Sequence, residues 1–157
     1  MEASTAQIVT WLIVITGWFF INHQANRRED RKETRQAIDS ISRQSERICE
    51  LAEEYHCQSG DKNQLNLARQ IKVQLTDLIV TIPRLQLLDR NEFSLAADLR
   101  KAITLKHFDN QDLQPLAPDD EIFFHIEEAR RALIDRLEEK YSESYRVGAV
   151  KKLLLRW

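Results

Sequence analysis

The stretch Arg100-Lys-Ala-Ile-Thr-Leu-Lys-His107 holds the residue pair with the clearest chemical potential. On a helix, residues seven apart differ by only about 20° in azimuth, so Arg100 and His107 would share a face. They flank the apolar stripe Leu95, Leu99 and Ile103, which would leave both half-buried. A histidine can move a proton near neutral pH, and a guanidinium can hold a phosphate or stabilise a phosphorane. The structural alternative is that Arg100 pairs with a carboxylate and His107 caps a helix end. The following loop carries Asp109, Asp112, Asp119, Asp120 and Glu121, a negative field that would repel RNA phosphates.

A second grouping is Cys49, Glu53, His56 and Cys57. It lacks a fourth ligand at a standard zinc spacing, so no metal is expected, and the residues read as buried reduced thiols beside a surface histidine. His125, after Phe123-Phe124, reads as a core-edge or surface residue. The glycines are isolated, so there is no phosphate-cradling loop, and no G-x-S-x-G occurs. No cofactor is expected. A net charge of −2 carries no global nucleic-acid signature, and direct DNA binding is not expected.

The elements that must position these residues are helical. Three glycines, three prolines and the lack of alternating β-branched runs after residue 22 favour long helices. Residues 6–21 contain no charge and are apolar on every face. With Thr5 and Asn22 they reach about 24–27 Å as a helix, a short transmembrane span against a hydrocarbon core of about 30 Å. No Lys or Arg precedes the span, and bulky Trp18-Phe19-Phe20 ends it, which argues against a cleaved signal. Arg27, Arg28, Arg31, Lys32 and Arg35 follow it. The positive-inside rule then puts the amino terminus outside and the body in the cytoplasm, with Trp18, Phe19, Arg27 and Arg28 at the inner membrane interface. Ala6, Thr10 and Gly17 form a small-residue face fit for helix association in lipid.

The expected organisation is an anchor over 1–25, a membrane-proximal long helix over 26–60, a helical bundle over 61–146 and a basic-apolar tail over 147–157. The helix leaving the membrane meets no Pro or Gly before Ser59 and runs to about residue 57. Thr34, Ile38, Ile41, Ser45, Ile48, Ala52 and Tyr55 form a heptad seam on it. Its upper part, with Ile38, Ile41 and Ile48 among the candidates, is expected to self-associate while the lower part packs into the core. Asp61 or Asn63 caps the next helix, which Pro83 ends or kinks. A third helix starts near residues 89–91 and runs to about Lys106. Asp119 opens the last, which Gly148 can terminate. The tail from Arg146 to Trp157 is basic and apolar, suited to an anionic leaflet or a neighbouring subunit. The fold class is all-α, a single transmembrane helix continuing into a cytoplasmic bundle of four or five helices.

An Arg-x(4–6)-His motif late in a helical bundle, here Arg100 and His107, resembles the signature of HEPN domains, many of which are metal-independent ribonucleases acting as dimers. With a single span ahead of it, the chain resembles the HEPN-like membrane accessory proteins of type VI-B CRISPR systems. That resemblance implies a HEPN-like fold, a homo-oligomer in the lipid bilayer, pore formation in antiviral defence, and an RNA-guided ribonuclease or RNA signal as partner. Three functions are therefore carried forward. They are an oligomeric membrane effector, a membrane-tethered ribonuclease using Arg100 and His107, and an adaptor without activity that binds a cytosolic protein.

Overall fold

The computed structural model describes residues 2–58, 62–104, 108 and 115–154, and side chains within 7–58, 63–89, 91–104, 108 and 115–145. Among them there are four α-helices and no strand. Helix α1 spans Glu2–Cys57, α2 Lys62–Thr81, α3 Ser94–Thr104 and α4 Glu121–Leu154. The chain divides into two compact units, Met1–Gln36 and Ala37–Trp157.

The second unit is a helical bundle. The seam read on α1 is its core face: Ile38, Ile41, Ser45, Ile48, Ala52 and Tyr55 are all buried. Facing stripes come from Leu67, Ala68, Ile71, Leu75 and Leu78 on α2, from Ala96, Leu99 and Ile103 on α3, and from Ile122, Ile126, Leu133 and Leu137 on α4. Apart from the adjacent Leu67 and Ala68, each set recurs at spacings of three, four or seven, as one face of a helix must. Ile38, Ile41 and Ile48 were candidates for a contact between copies, with packing on the chain's own later helices as the alternative. All three lie in their own chain's core, and exposing them to a second copy would remove them from it. Polar groups tie the helices further. Gln44 on α1 donates to the Gln74 carbonyl on α2 at 3.2 Å, and the Leu116 N–H donates to the His56 carbonyl at 2.9 Å.

The boundaries follow local chemistry. Pro83 ends α2 by diverting the chain into a short 3₁₀ turn, Ile82–Leu85. Gln86 closes that turn at φ 53°, a left-handed position usually given to glycine. The third helical region opens as a 3₁₀ turn, Arg90–Phe93, ahead of α3. Asp89 and Glu92 form a reciprocal capping box there, with the Asp89 N–H donating to Glu92 Oε2 at 2.8 Å. Helix α3 is described as far as Thr104, and the expected end near Lys106 lies outside the described residues. Asp120 Oδ1 accepts the Ile122 N–H at 3.0 Å at the start of α4. Gly148 does not terminate α4, which continues to Leu154. A helical glycine costs about 1 kcal/mol relative to alanine, which the neighbouring helix formers can absorb. Asp61, the other candidate cap of α2, lies outside the described residues.

A charged cluster fixes the start of α3 to α4. Arg136 Nε donates to Glu92 Oε1 at 2.7 Å, its guanidinium also pairs with Glu139, and Lys140 Nζ lies 3.4 Å from both Asp89 and Glu92. The backbone hydrogen bond from Asp89, and then Arg136, hold the Glu92 carboxyl below its ordinary range.

Candidate functional site

Two regions merit attention. The first is residues 7–36 of the first unit. From Ile8 to Ile21 every large apolar side chain is exposed, between 49% and 70%. No part of the 18-residue apolar window is buried within the chain. This helix is long and apolar enough to cross a membrane. The Thr16 hydroxyl donates to the Leu12 carbonyl at 2.7 Å, so this polar group is satisfied within the helix. Trp18 and Phe19 are exposed and meet edge to face at 5.4 Å. Arg27 and Arg28 are exposed a turn or two further on.

Val9, Leu12, Ile13, Thr16, Gly17, Phe20 and Ile21 line a shallow apolar groove on this segment. A Cβ placed on Gly17 would meet nothing within 4 Å, so the chain's own packing does not require glycine there. Thr10 is exposed but outside the groove lining. The side chain of Ala6 lies outside those described.

The second region is the wall between α2 and the end of α3. Arg100 was expected to be half-buried beside His107, but it is exposed. His107 lies outside the described residues, so the expected catalytic pair is not assembled among them. No ion pair joins Arg100 to a carboxylate among the described residues. Arg100 instead lines a cleft of about 400 Å³ with Lys72, Leu75, Thr76, Thr104 and Phe108. Lys72 Nζ stands 5.5 Å from the centre of the Phe108 ring, and Phe108 also packs on Tyr55 at 4.7 Å. The sequence reading missed Lys72, Thr76 and Phe108. One signal was available: Lys72 and Thr76 stand one helical turn apart beside buried Leu75.

The cysteine grouping does not form a metal site. Among the described residues no set of three or more His, Cys, Asp or Glu is arranged to hold a metal. His56 was expected at the surface and is instead fully buried, edge-on to Tyr55 at 5.1 Å. Its Nε2 lies 3.2 Å from the Ile103 carbonyl. A carbonyl only accepts, so that contact places the ring proton on Nε2 and makes His56 a tie between the ends of α1 and α3. Cys49 and Cys57 are free and half-buried. Burial pushes the Cys49 thiol up to about 12, which makes it a poor nucleophile at neutral pH. Burial first and Glu53 second raise Cys57 as well.

Cys49 sits in another cleft with Glu46, Glu50, Glu53, Glu127 and Arg130. There Arg130 grips Glu127 through two bonds of 2.7 Å and Arg131 adds one of 2.9 Å. The Arg130 hydrogen bonds are the main reason the Glu127 carboxyl falls to about 2. His125 is at the surface, as expected, within 3.4 Å of Glu121 and 3.7 Å of Glu128.

Compared with protein-family models, with curated proteins and with solved structures, the chain matches none.

Proposed function

We propose that this chain is a single-span membrane protein of the inner membrane, with its helical body in the cytoplasm, acting as a non-enzymatic effector through assembly in the bilayer. The observation that carries the reading is the exposure of every large apolar side chain from Ile8 to Ile21, none of which is buried among the described residues. Roughly 25 cal/mol of hydrophobic free energy attaches to each Å² of apolar surface, so leaving these eleven large apolar side chains in water would be costly and lipid is the natural cover. The basic residues from Arg27 to Arg35 support the orientation.

Self-association is proposed along the groove at Gly17. Small residues let helices approach in lipid, and this glycine has no role in the packing of its own chain. The resemblance to HEPN-like accessory proteins supports antiviral defence as the setting and a pore or membrane perturbation as the output. The test has two parts. Full-length protein should pellet with membranes after alkaline carbonate washing, and recovery in the supernatant would defeat the anchor. In mild detergent its mass should be a multiple of the monomer, and Gly17→Leu should shift it to monomer without changing the melting of the helical body. A wild-type monomer would defeat the assembly.

A second reading is a membrane-tethered HEPN ribonuclease. It is favoured by the exposure of Arg100 on a cleft with a second cation. RNA cleavage that persists in the Arg100→Ala, His107→Ala double variant would remove it.

A further inference from the structure

We infer that the carboxyl-terminal end of α4 is a second membrane contact, docking on anionic lipid headgroups of the leaflet that the helical body faces. The inference rests on the membrane reading of residues 6–21 and adds a contact which that reading does not require. Within the bundle, Phe123 on α4 stands 6.3 Å from His56 on α1, ring centre to ring centre. Further along α4, Arg130 is within electrostatic reach of Cys49 and Glu46. Residue numbers therefore rise on α4 as they fall on α1, and the two helices run antiparallel. The carboxyl end of α4 points to the end of the bundle where α1 enters at about Ala37, the end from which the chain leads to the apolar span. Among the described residues Leu137 is the last buried one on α4, yet the helix continues to Leu154, a projection of about 25 Å. Back along α1 from Ala37 to Asn22 the rise is about 22 Å, so the projection is long enough to reach lipid.

The residue pattern of α4 changes along this projection. The core seam passes through Leu133 and Leu137, and its continuation at spacings of seven, four and three falls on Ser144, Gly148 and Lys151. Ser144 is exposed. A serine, a glycine and a lysine do not extend an apolar seam. Val147, Val150, Leu153 and Leu154 instead take helical positions turned from it by about 80° or more, within one arc of about 120°. One apolar face closes and another opens on a different side, which suits a surface other than the bundle core. Charge selects that surface. From Ser144 to Trp157 the sequence holds Arg146, Lys151, Lys152 and Arg156 and no acid, in a chain of net charge −2. Bases beside an apolar arc gain from anionic headgroups while the apolar residues enter the acyl boundary. Trp157 at the very end adds an indole, which is favoured at that boundary.

The experiment uses the full-length chain carrying Trp11→Phe and Trp18→Phe, which leaves Trp157 as the one tryptophan. It is reconstituted into phosphatidylcholine vesicles with or without about 30% phosphatidylglycerol, with brominated lipid as the fluorescence quencher. Trp157 emission should be blue-shifted and quenched in the anionic vesicles, at least about twofold more than in the neutral ones, and the excess should shrink at about 0.5 M salt. Adding Lys151→Gln, Lys152→Gln and Arg156→Gln should abolish most of that excess while the helical body melts as before. Flotation of the same vesicles separates the two readings. Protein that does not float with lipid would overturn the span and this contact together. Protein that floats while Trp157 stays unquenched would overturn the contact alone. Trp157 shielded from acrylamide yet insensitive to brominated lipid would overturn it in favour of packing against a second copy. Equal quenching in neutral and anionic vesicles would overturn the headgroup assignment.

Discussion

Two stretches of α1 use the same residue types and meet opposite fates. Ile38, Ile41 and Ile48 are buried, while Ile8, Ile13, Ile15 and Ile21 are about half or more exposed. The difference lies in spacing. In the bundle-forming stretch, apolar residues recur every three or four positions with Arg43, Arg47 and Glu50 between them, so one face is apolar and finds three partner helices. Between Ile8 and Ile21 the apolar residues are contiguous, so every face is apolar and no arrangement of one small bundle could cover them all. Burial is thus a property of the pattern and its available partner, and isoleucine content alone does not predict it.

The sharpest way to break this comparison is to make one truncation in each stretch. Ile48→Ala removes a fully buried side chain from the bundle-forming stretch and should lower unfolding free energy by about 2–5 kcal/mol, measured by denaturant titration of the detergent-solubilised protein. Ile13→Ala should leave it within about 0.5 kcal/mol. Equal losses would mean that the two stretches are not packed differently. A charge tests the same contrast from the lipid side. Ile13→Lys should disfavour insertion by roughly 2.5–3.5 kcal/mol, read as increased carbonate extraction, while the bundle unfolds as in wild type. An unchanged membrane fraction would count against a span.

The smallest effect concerns the bundle's surface charges. Glu127 is held near 2 by Arg130 in the folded state, below the ordinary carboxylate value of 4.5. Its contribution is therefore fully present above about pH 4.5 and is lost as pH falls from there toward 2. Solvent screens the pair, whose side chains are 20% and 36% exposed, so the effect should stay near the surface-pair range of about 0–1 kcal/mol. Melting curves should show wild type falling slightly faster than Glu127→Gln across that acid window and the two running parallel above it. Parallel curves throughout would mean that the pair is not maintained in solution.

Much of the architecture was legible because it depends on local rules. The stripe from Ile38 to Tyr55 and the stop at Pro83 follow from periodicity and local chemistry, and the start of α4, expected at Asp119, falls one residue later with Asp120 as its cap. The cleft was not legible in the same way. Lys72 and Arg100 stand far apart in sequence, and nothing at either position indicates that α2 will pack against α3. His56 escaped for the same reason. A histidine near a helix end reads as solvated until the Ile103 carbonyl on another helix is found 3.2 Å away.

The sequence by itself determined that the chain is helical, that residues 6–21 are apolar all round, and which face of each helix is apolar. Those properties reside in the spacing of neighbours along the chain. Only the tertiary structure decided that the seam on α1 belongs to its own bundle, that His56 is interior, and that two distant cations share one wall. Each of those depends on which helix lies across the gap, and that choice is made by long-range packing rather than by any single segment.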